Sequence, residues 1–140
     1  MGSPRLTKLC DSIELSVKDS CKDRISVSFS GGIDSTLIAF LAQKHCDVEL
    51  IAVGIPDAHD LKAARSASEL IDMELKVIEV EPKDMITEGM EMQKCLNLSS
   101  IEVEFMLPFW IAAKNSDNSI LMCGQGADEL FGGYARFRTE

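Results

Sequence analysis

Along residues 25–40, ISVSFSGGIDSTLIAF, apolar and polar positions first alternate and then crowd together. Ile25, Val27 and Phe29 alternate with Ser26 and Ser28, small polar residues and two glycines follow, and Leu37, Ile38, Phe40 and Leu41 form a compact apolar run. A period of two that gives way to a helical one predicts strand, tight loop and helix, the helix over about residues 35–44. That helix is apolar on most sides, as tight packing over the first strand requires. Upstream, Leu6, Leu9, Cys10, Ile13 and Val17 recur at helical spacing and predict an amphipathic helix ending near residues 21–24 that covers one face of a sheet.

The same punctuation repeats. VELIAVGI, within residues 48–55, is nearly continuous apolar, the pattern of a central parallel strand with both faces covered. Gly54 and Pro56 mark a sharp bend, and Asp57 or Asp60 caps a helix over about residues 60–71. A third strand is predicted at residues 75–80. Pro82 then opens a helical stretch that Gly89 weakens. Ser99 or Ser100 caps a further helix, which Pro108 either kinks or divides in two. Ile101, Phe105 and Phe109 share one face of it, which points to a core role for the aromatics ahead of a partner surface. A last strand, residues 119–123, leads into a second glycine-rich loop.

Composition narrows the classes. The chain has 140 residues, enough for one domain with a real core, and a formal net charge of −9, which opposes an extended nucleic-acid surface. The longest apolar runs fall far short of a membrane span, and MGSPRLTKLC lacks the hydrophobic segment of a secretory signal. The five cysteines are scattered singly, with no CxxC, so neither a disulfide framework nor a zinc site is indicated. A reducing, cytoplasmic location fits best.

The loop after the first strand carries candidate chemistry. Gly31 and Gly32 let the backbone curl with its amides inward, Ser30, Ser35 and Thr36 add hydroxyls, and a helix N-terminus follows: an anion site suited to nucleotide phosphates. Asp34 would repel such a ligand unless a cation lay between them, so it reads as a magnesium ligand. The plainer alternative is a serine-glycine turn in which Asp34 or Ser35 merely caps the helix. The second loop, GQGADELFGGY from Gly124 to Tyr134, also contains acidic residues. Right-handed crossovers would carry strands two and three to one side of strand one, and the return of the chain places strand four on the other, giving order 3-2-1-4. Both loops then meet at the change of strand order, and Asp34 and Asp128 can share one cation.

SFSGGIDS at residues 28–35 resembles the signature of the PP-loop ATP pyrophosphatases and is neither a Walker A loop nor a dinucleotide fingerprint. With AVGIPDAHDLKAARSASELI at 52–71 and CGQGADELFGGYARF at 123–137, the chain is similar to the synthetase domain of asparagine synthetases, with β-lactam synthetases close by. The resemblance implies an α/β, Rossmann-like fold of the adenine nucleotide alpha hydrolase type, a parallel sheet with helices on both faces, and one ATP-binding domain over residues 1–140. By position it assigns Ser30, Gly31, Gly32 and Ser35 to phosphate, Ser28 to the cofactor without a finer role, and Val53 and Gly54 to the adenine side. Gly124, Gln125 and Gly126 fall to the nucleotide, and Asp34 with Asp128 to Mg2+. Gln125 stands where some members carry a glutamate implicated in the second half-reaction.

The implied reaction uses ATP and Mg2+ to adenylate a carboxylic acid, aspartate by resemblance, before an amine displaces AMP. No residue serves as a catalytic nucleophile, because the substrate itself attacks. Lys62, Arg65, Arg136 and Arg138 are candidate clamps for the acid. There is no glutaminase segment, and residue 2 is Gly2 rather than a nucleophilic cysteine, so nitrogen would come from ammonia, another amine or a partner. The chain stops six residues after Tyr134, where the family has further helices, so a fragment, a minimal domain and one half of a homo-oligomer or two-chain assembly are all compatible. Two alternatives stand beside the synthetase reading: a non-catalytic adenine-nucleotide module, and a PP-loop enzyme that modifies tRNA, which the acidic balance opposes.

Overall fold

A computed structural model describes residues 3–133. Its helices are α1 (Pro4–Ser20), α2 (Ile33–Ala42), α3 (His59–Leu70), α4 (Pro82–Leu96), α5 (Ser100–Lys114) and α6 (Ala127–Phe131). The strands are β1 (Arg24–Ser28), β2 (Asp47–Gly54), β3 (Leu75–Glu79) and β4 (Leu121–Met122). They form one parallel sheet in the order β3-β2-β1-β4, as the punctuation and the crossover rule predict.

Alternation along the strands sorts the two faces. Ile25 and Val27 stand in register with Val48 and Leu50, and Leu50 and Ala52 with Leu75 and Val77, so these side chains share one face. There they join Val17 of α1, Ala39 and Ala42 of α2, and Leu61 and Ala64 of α3 in the main core cluster. Ile25, Val27 and Leu50 are fully buried, each contributing about 1.5–3 kcal/mol relative to exposure. The opposite face carries Ser26, Glu49, Ile51 and Lys76, and α5 packs over β2 there through buried Ile111 and Ala112.

Ser26 is fully buried, so its hydroxyl needs partners. It donates to Glu49 Oε2 at 2.8 Å, shares a 2.7 Å hydrogen bond with Ser116 and accepts from Asn118 Nδ2 at 2.9 Å. Lys76 closes the network, 3.8 Å from Glu49 and bonded to the Asn115 carbonyl. This polar patch pins the segment between α5 and β4 to the sheet and so sets where β4 begins. The strand is shorter than the predicted 119–123: only Leu121 and Met122 are strand, and Ile120 adds one carbonyl that accepts from Ser26 N at 2.9 Å.

Three local expectations are corrected. Neither Asp57 nor Asp60 caps α3: Ala58 occupies that position without a side-chain bond, Asp57 takes a left-handed φ of 62°, and Asp60 lies in the first turn. Pro108 does not divide α5, which runs through it as one helix; the carbonyl that its missing N–H frees belongs to exposed Glu104, where water can serve it. Ile101 and Phe105 are not core, each being 68% exposed. Ser99 does cap α5, in a reciprocal capping box with Glu102. Gly89 is buried inside α4, where an added Cβ would stand 3.3 Å from Val103 Cγ1, so this glycine sets the close approach of α4 to α5. Glu88 fastens the far end of that hairpin, accepting from Lys114 Nζ at 2.9 Å and Trp110 Nε1 at 2.9 Å. No single helix among the described residues is long and apolar enough to cross a membrane.

Candidate functional site

The chain leaves β1 through Phe29, whose N–H donates to Ile51 O at 2.8 Å, and turns at once through Ser30, Gly31 and Gly32 into α2. Gly31 has φ 75°, and a Cβ there would stand 2.6 Å from the Ala63 carbonyl oxygen of α3. Only glycine permits both that conformation and that approach. Serine hydroxyls brace the turn: Ser30 N donates to Ser35 Oγ at 3.3 Å, Gly32 N to Ser30 Oγ at 3.3 Å, and Ser35 Oγ to Gly32 O at 3.2 Å. Gly32 begins α2 with no side-chain cap, so the first-turn amides keep their free donors and the helix its partial positive charge.

On the other side of β1, Gly124 follows β4 so closely against α2 that a Cβ on it would fall 2.8 Å from Asp34 Cβ and 2.9 Å from Ser35 N. The two loops therefore meet at the carboxyl ends of β1 and β4, where the strand order reverses. A cavity of about 360 Å³ opens there. Ser28, Ser30, Gly32, Asp34 and Ser35 line one side, Val53 the β2 side, and Gly124 and Gln125 the β4 side. Its volume is in the usual range of small-ligand sites.

Four assigned residues stand outside that lining. Gly31 and Gly54 support it from behind, Gly54 by letting Leu61 Cγ approach to 2.9 Å from where its Cβ would be. Gly126 has φ 91° and begins α6; Asp128 is exposed in the first turn of α6, with its Oδ1 against Gly133. Lys62 and Arg65 do not line the cavity, and Arg65 pairs with Glu79 at 3.7 Å on the surface. Arg136, Arg138 and the end of the third motif lie outside the described residues.

Pattern reading missed the far wall. Phe105, Pro108 and Phe109 of α5 close the cavity opposite the serine loop, and Asp60 with Leu61 of α3 closes another side. The signal was present as the i, i+3, i+4 spacing of residues 105, 108 and 109, but a helical face reads the same whether it meets core or cavity. Two carboxylates, Asp34 and Asp60, and no Lys, Arg or His line the cavity among the described residues. No cluster of three or more metal-ligating side chains is present among them either. Magnesium fits this donor set, since it is commonly held by one or two carboxylates with phosphate oxygens and water completing the shell. Asp34, in the first turn of α2 beside free backbone amides, is a carboxylate of the kind such a shell uses.

Comparison with known proteins gives this geometry a family. The asparagine synthase family model matches residues 8–140. The chain belongs to the asparagine synthase family. A putative glutamine-hydrolyzing asparagine synthetase of Methanocaldococcus jannaschii is 33% identical over 118 residues, which cover 81% of this chain and 22% of that protein. The chain thus spans about a fifth of that relative's length. The fold recurs in the NH3-dependent NAD synthetase of Campylobacter jejuni, with TM-score 0.55 and 24% identity over 91% of this chain and 58% of that one. It recurs also in a predicted tRNA methyltransferase subunit of M. jannaschii, with TM-score 0.53 and 22% identity over 74% of this chain and 53% of the other. A match to an asparagine synthase model across both glycine loops is the pairing that the sequence motifs imply.

Proposed function

We propose that residues 1–140 form a PP-loop nucleotide-binding domain that binds ATP for the adenylation of a small carboxylic acid, the first half of an amide-forming reaction. The observation that carries this reading is the meeting of the serine-glycine loop and the Gly124 loop on one cavity, in a chain of the asparagine synthase family. In this reading the amides and hydroxyls of residues 30–35 hold the pyrophosphate end of ATP, Val53 and Gly54 lie by the adenine, and Gly124 to Gly126 close over ribose and α-phosphate. Asp34 would hold Mg2+, with Asp128, exposed on α6 outside the cavity lining, as its partner. The metal would supply positive charge against the phosphate oxygens.

A carboxylate oxygen of the substrate attacks the α-phosphorus, the bond to the bridging oxygen of pyrophosphate breaks, and an acyl adenylate forms. An amine then takes the acyl group and AMP leaves. The chain contributes orientation and fixed dipoles, because negative charge grows on pyrophosphate beside the free amides at the start of α2. Aspartate is the acid that the family suggests, and a cytoplasmic setting fits the free cysteines.

Among the described residues no Lys, Arg or His lines the cavity, and this favours a second reading for that part of the chain, binding without turnover. Such groups normally meet the charge that develops in phosphoryl-type transfers. One assay separates the readings: ATP–pyrophosphate exchange by the 140-residue chain with a panel of carboxylic acids, with and without magnesium. Acid-dependent exchange supports adenylation. ATP binding without exchange, for every acid and with magnesium present, supports the module.

A further inference from the structure

At the amino-terminal end of the sheet, remote from the cavity, two cysteines from separate segments come together. Cys21 ends α1, its N–H donating to the Val17 and Lys18 carbonyls at 3.1 Å each. Cys46 lies in the turn between α2 and β2, its N–H bonded to Ala42 O at 3.1 Å and its Sγ 3.6 Å from the same oxygen. The strands that follow start side by side, with Arg24 opposite Asp47 and Asp47 N donating to Asp23 O at 3.1 Å. This register sets the segments that precede the two strands side by side, with Cys21 a neighbour of Cys46. Both cysteine side chains are partly buried and pack against the same apolar cluster. Burial first, then the hydrogen bonding and charge of Cys21, then Asp47, push the Cys46 thiol up to about 12.

We propose that Cys21 and Cys46 form an oxidisable dithiol, a modification site at which a low-molecular-weight disulfide is reduced while one intramolecular disulfide ties the end of α1 to the start of β2. The chemistry is two successive exchanges. Cys21, as thiolate, attacks one sulfur of the added disulfide; that S–S bond breaks, leaving a mixed disulfide on Cys21 and releasing one thiol. Cys46 then gives up its proton to solvent and attacks the Cys21 sulfur, expelling the second thiol. The protein loses two protons and two electrons, and the added disulfide gains both. The order of attack follows from the surroundings of Cys46, whose burial favours the protonated thiol and leaves the first, intermolecular step to Cys21. The other three cysteines have different settings: Cys10 and Cys95 are exposed on the outer sides of α1 and α4, and Cys123 lies beside the Gly124 loop.

The test is a thiol map of the full chain. Fully reduced protein is incubated with oxidised glutathione, remaining thiols are alkylated, and the digest is read by mass spectrometry. A peptide pair joined through Cys21 and Cys46, released by reductant, is expected, while Cys10 and Cys95 carry single glutathione adducts. The link persists in the triple variant Cys10→Ser, Cys95→Ser, Cys123→Ser. Cys46→Ser accumulates glutathione on Cys21 instead, and if that variant fails to fold, the map of the unaltered chain alone decides. The melting temperature rises on oxidation and returns on reduction. Recovery of Cys21 and Cys46 as free alkylated thiols, or as two separate glutathione adducts with no link between them, overturns the proposal.

Discussion

Gly31 is the point at which the serine-glycine loop leans on α3, and replacing it with alanine measures that contact. The new Cβ meets two penalties. A left-handed φ of 75° costs an L-residue about 1–2 kcal/mol. The methyl would also stand 2.6 Å from Ala63 O, 2.7 Å from Ala63 C and 2.8 Å from Ala64 N, all backbone atoms that no rotamer change can move aside. Overpacking of that kind costs about 1–3 kcal/mol, so Gly31→Ala should destabilise by about 2–5 kcal/mol in all. At about 3–4 °C per kcal/mol for a chain of this length, the melting temperature falls by about 6–20 °C. Gly126→Ala is the internal control. Its φ of 91° carries the same conformational penalty, but no atom lies within 4 Å of the added carbon, so the loss stops at about 1–2 kcal/mol. Thermal melts by circular dichroism on both variants read the difference, and titration with ATP should show weaker binding by Gly31→Ala. If Gly31→Ala melts no lower than Gly126→Ala, the loop does not rest on α3 as described.

Gly124→Ala should weaken ATP binding while leaving most of the core intact, because its Cβ would displace Asp34 and the start of α2; unaltered affinity in calorimetry contradicts the meeting of the two loops. Asp34→Ala and Asp128→Ala should each remove the magnesium dependence of ATP binding in folded protein, and magnesium-dependent binding retained by both variants rules out a shared cation. Ser26→Ala strips three hydrogen bonds from the Glu49 network and should cost about 1–3 kcal/mol by urea denaturation. Hydrogen bonding from Lys114, and secondarily from Trp110, holds the Glu88 carboxyl below its ordinary 4.5. Its contribution is therefore present above that value and lost as pH falls through the lower folded-state value, so melts of Glu88→Gln and the unaltered chain should differ near neutrality and converge in acid.

The framework was legible in the sequence because it rests on short-range rules. Alternation from Ile25 to Phe29, the apolar run of β2 and the glycine punctuation are enough to set strands and helices, and the handedness of crossovers orders the sheet. The convergence of Ser30 and Gly124 followed from that order. What was not legible depended on tertiary surroundings. Ile101, Phe105 and Phe109 share a helical face, but the pattern cannot say that Phe105 borders a cavity while Ile101 faces water. Pro108 reads as a helix breaker by local rules, yet α5 is held on both sides of it by Ile111 and Ala112 on the sheet and Val103 against Gly89. Ser26 looked like the polar member of an alternating strand and is instead the buried centre of a hydrogen-bond network, formed with Glu49, 23 positions away, and with Ser116 and Asn118, 90 and 92 positions away. The position of Asp128 relative to Asp34 belongs with these, since it depends on how α6 settles after Gly126 rather than on the motif itself.

The proposed function depends on where ATP binds. The most direct measurement is amide chemical-shift mapping of the isotope-labelled 140-residue chain titrated with Mg-ATP. The largest shifts are expected at residues 30–35, at Val53 and Gly54, and at Gly124 and Gln125, with Phe105 and Phe109 following on the opposite wall. Shifts confined to the groove bounded by Ile13 of α1, Leu37 of α2 and Leu130 of α6, or to the amino-terminal end of the sheet, would contradict it.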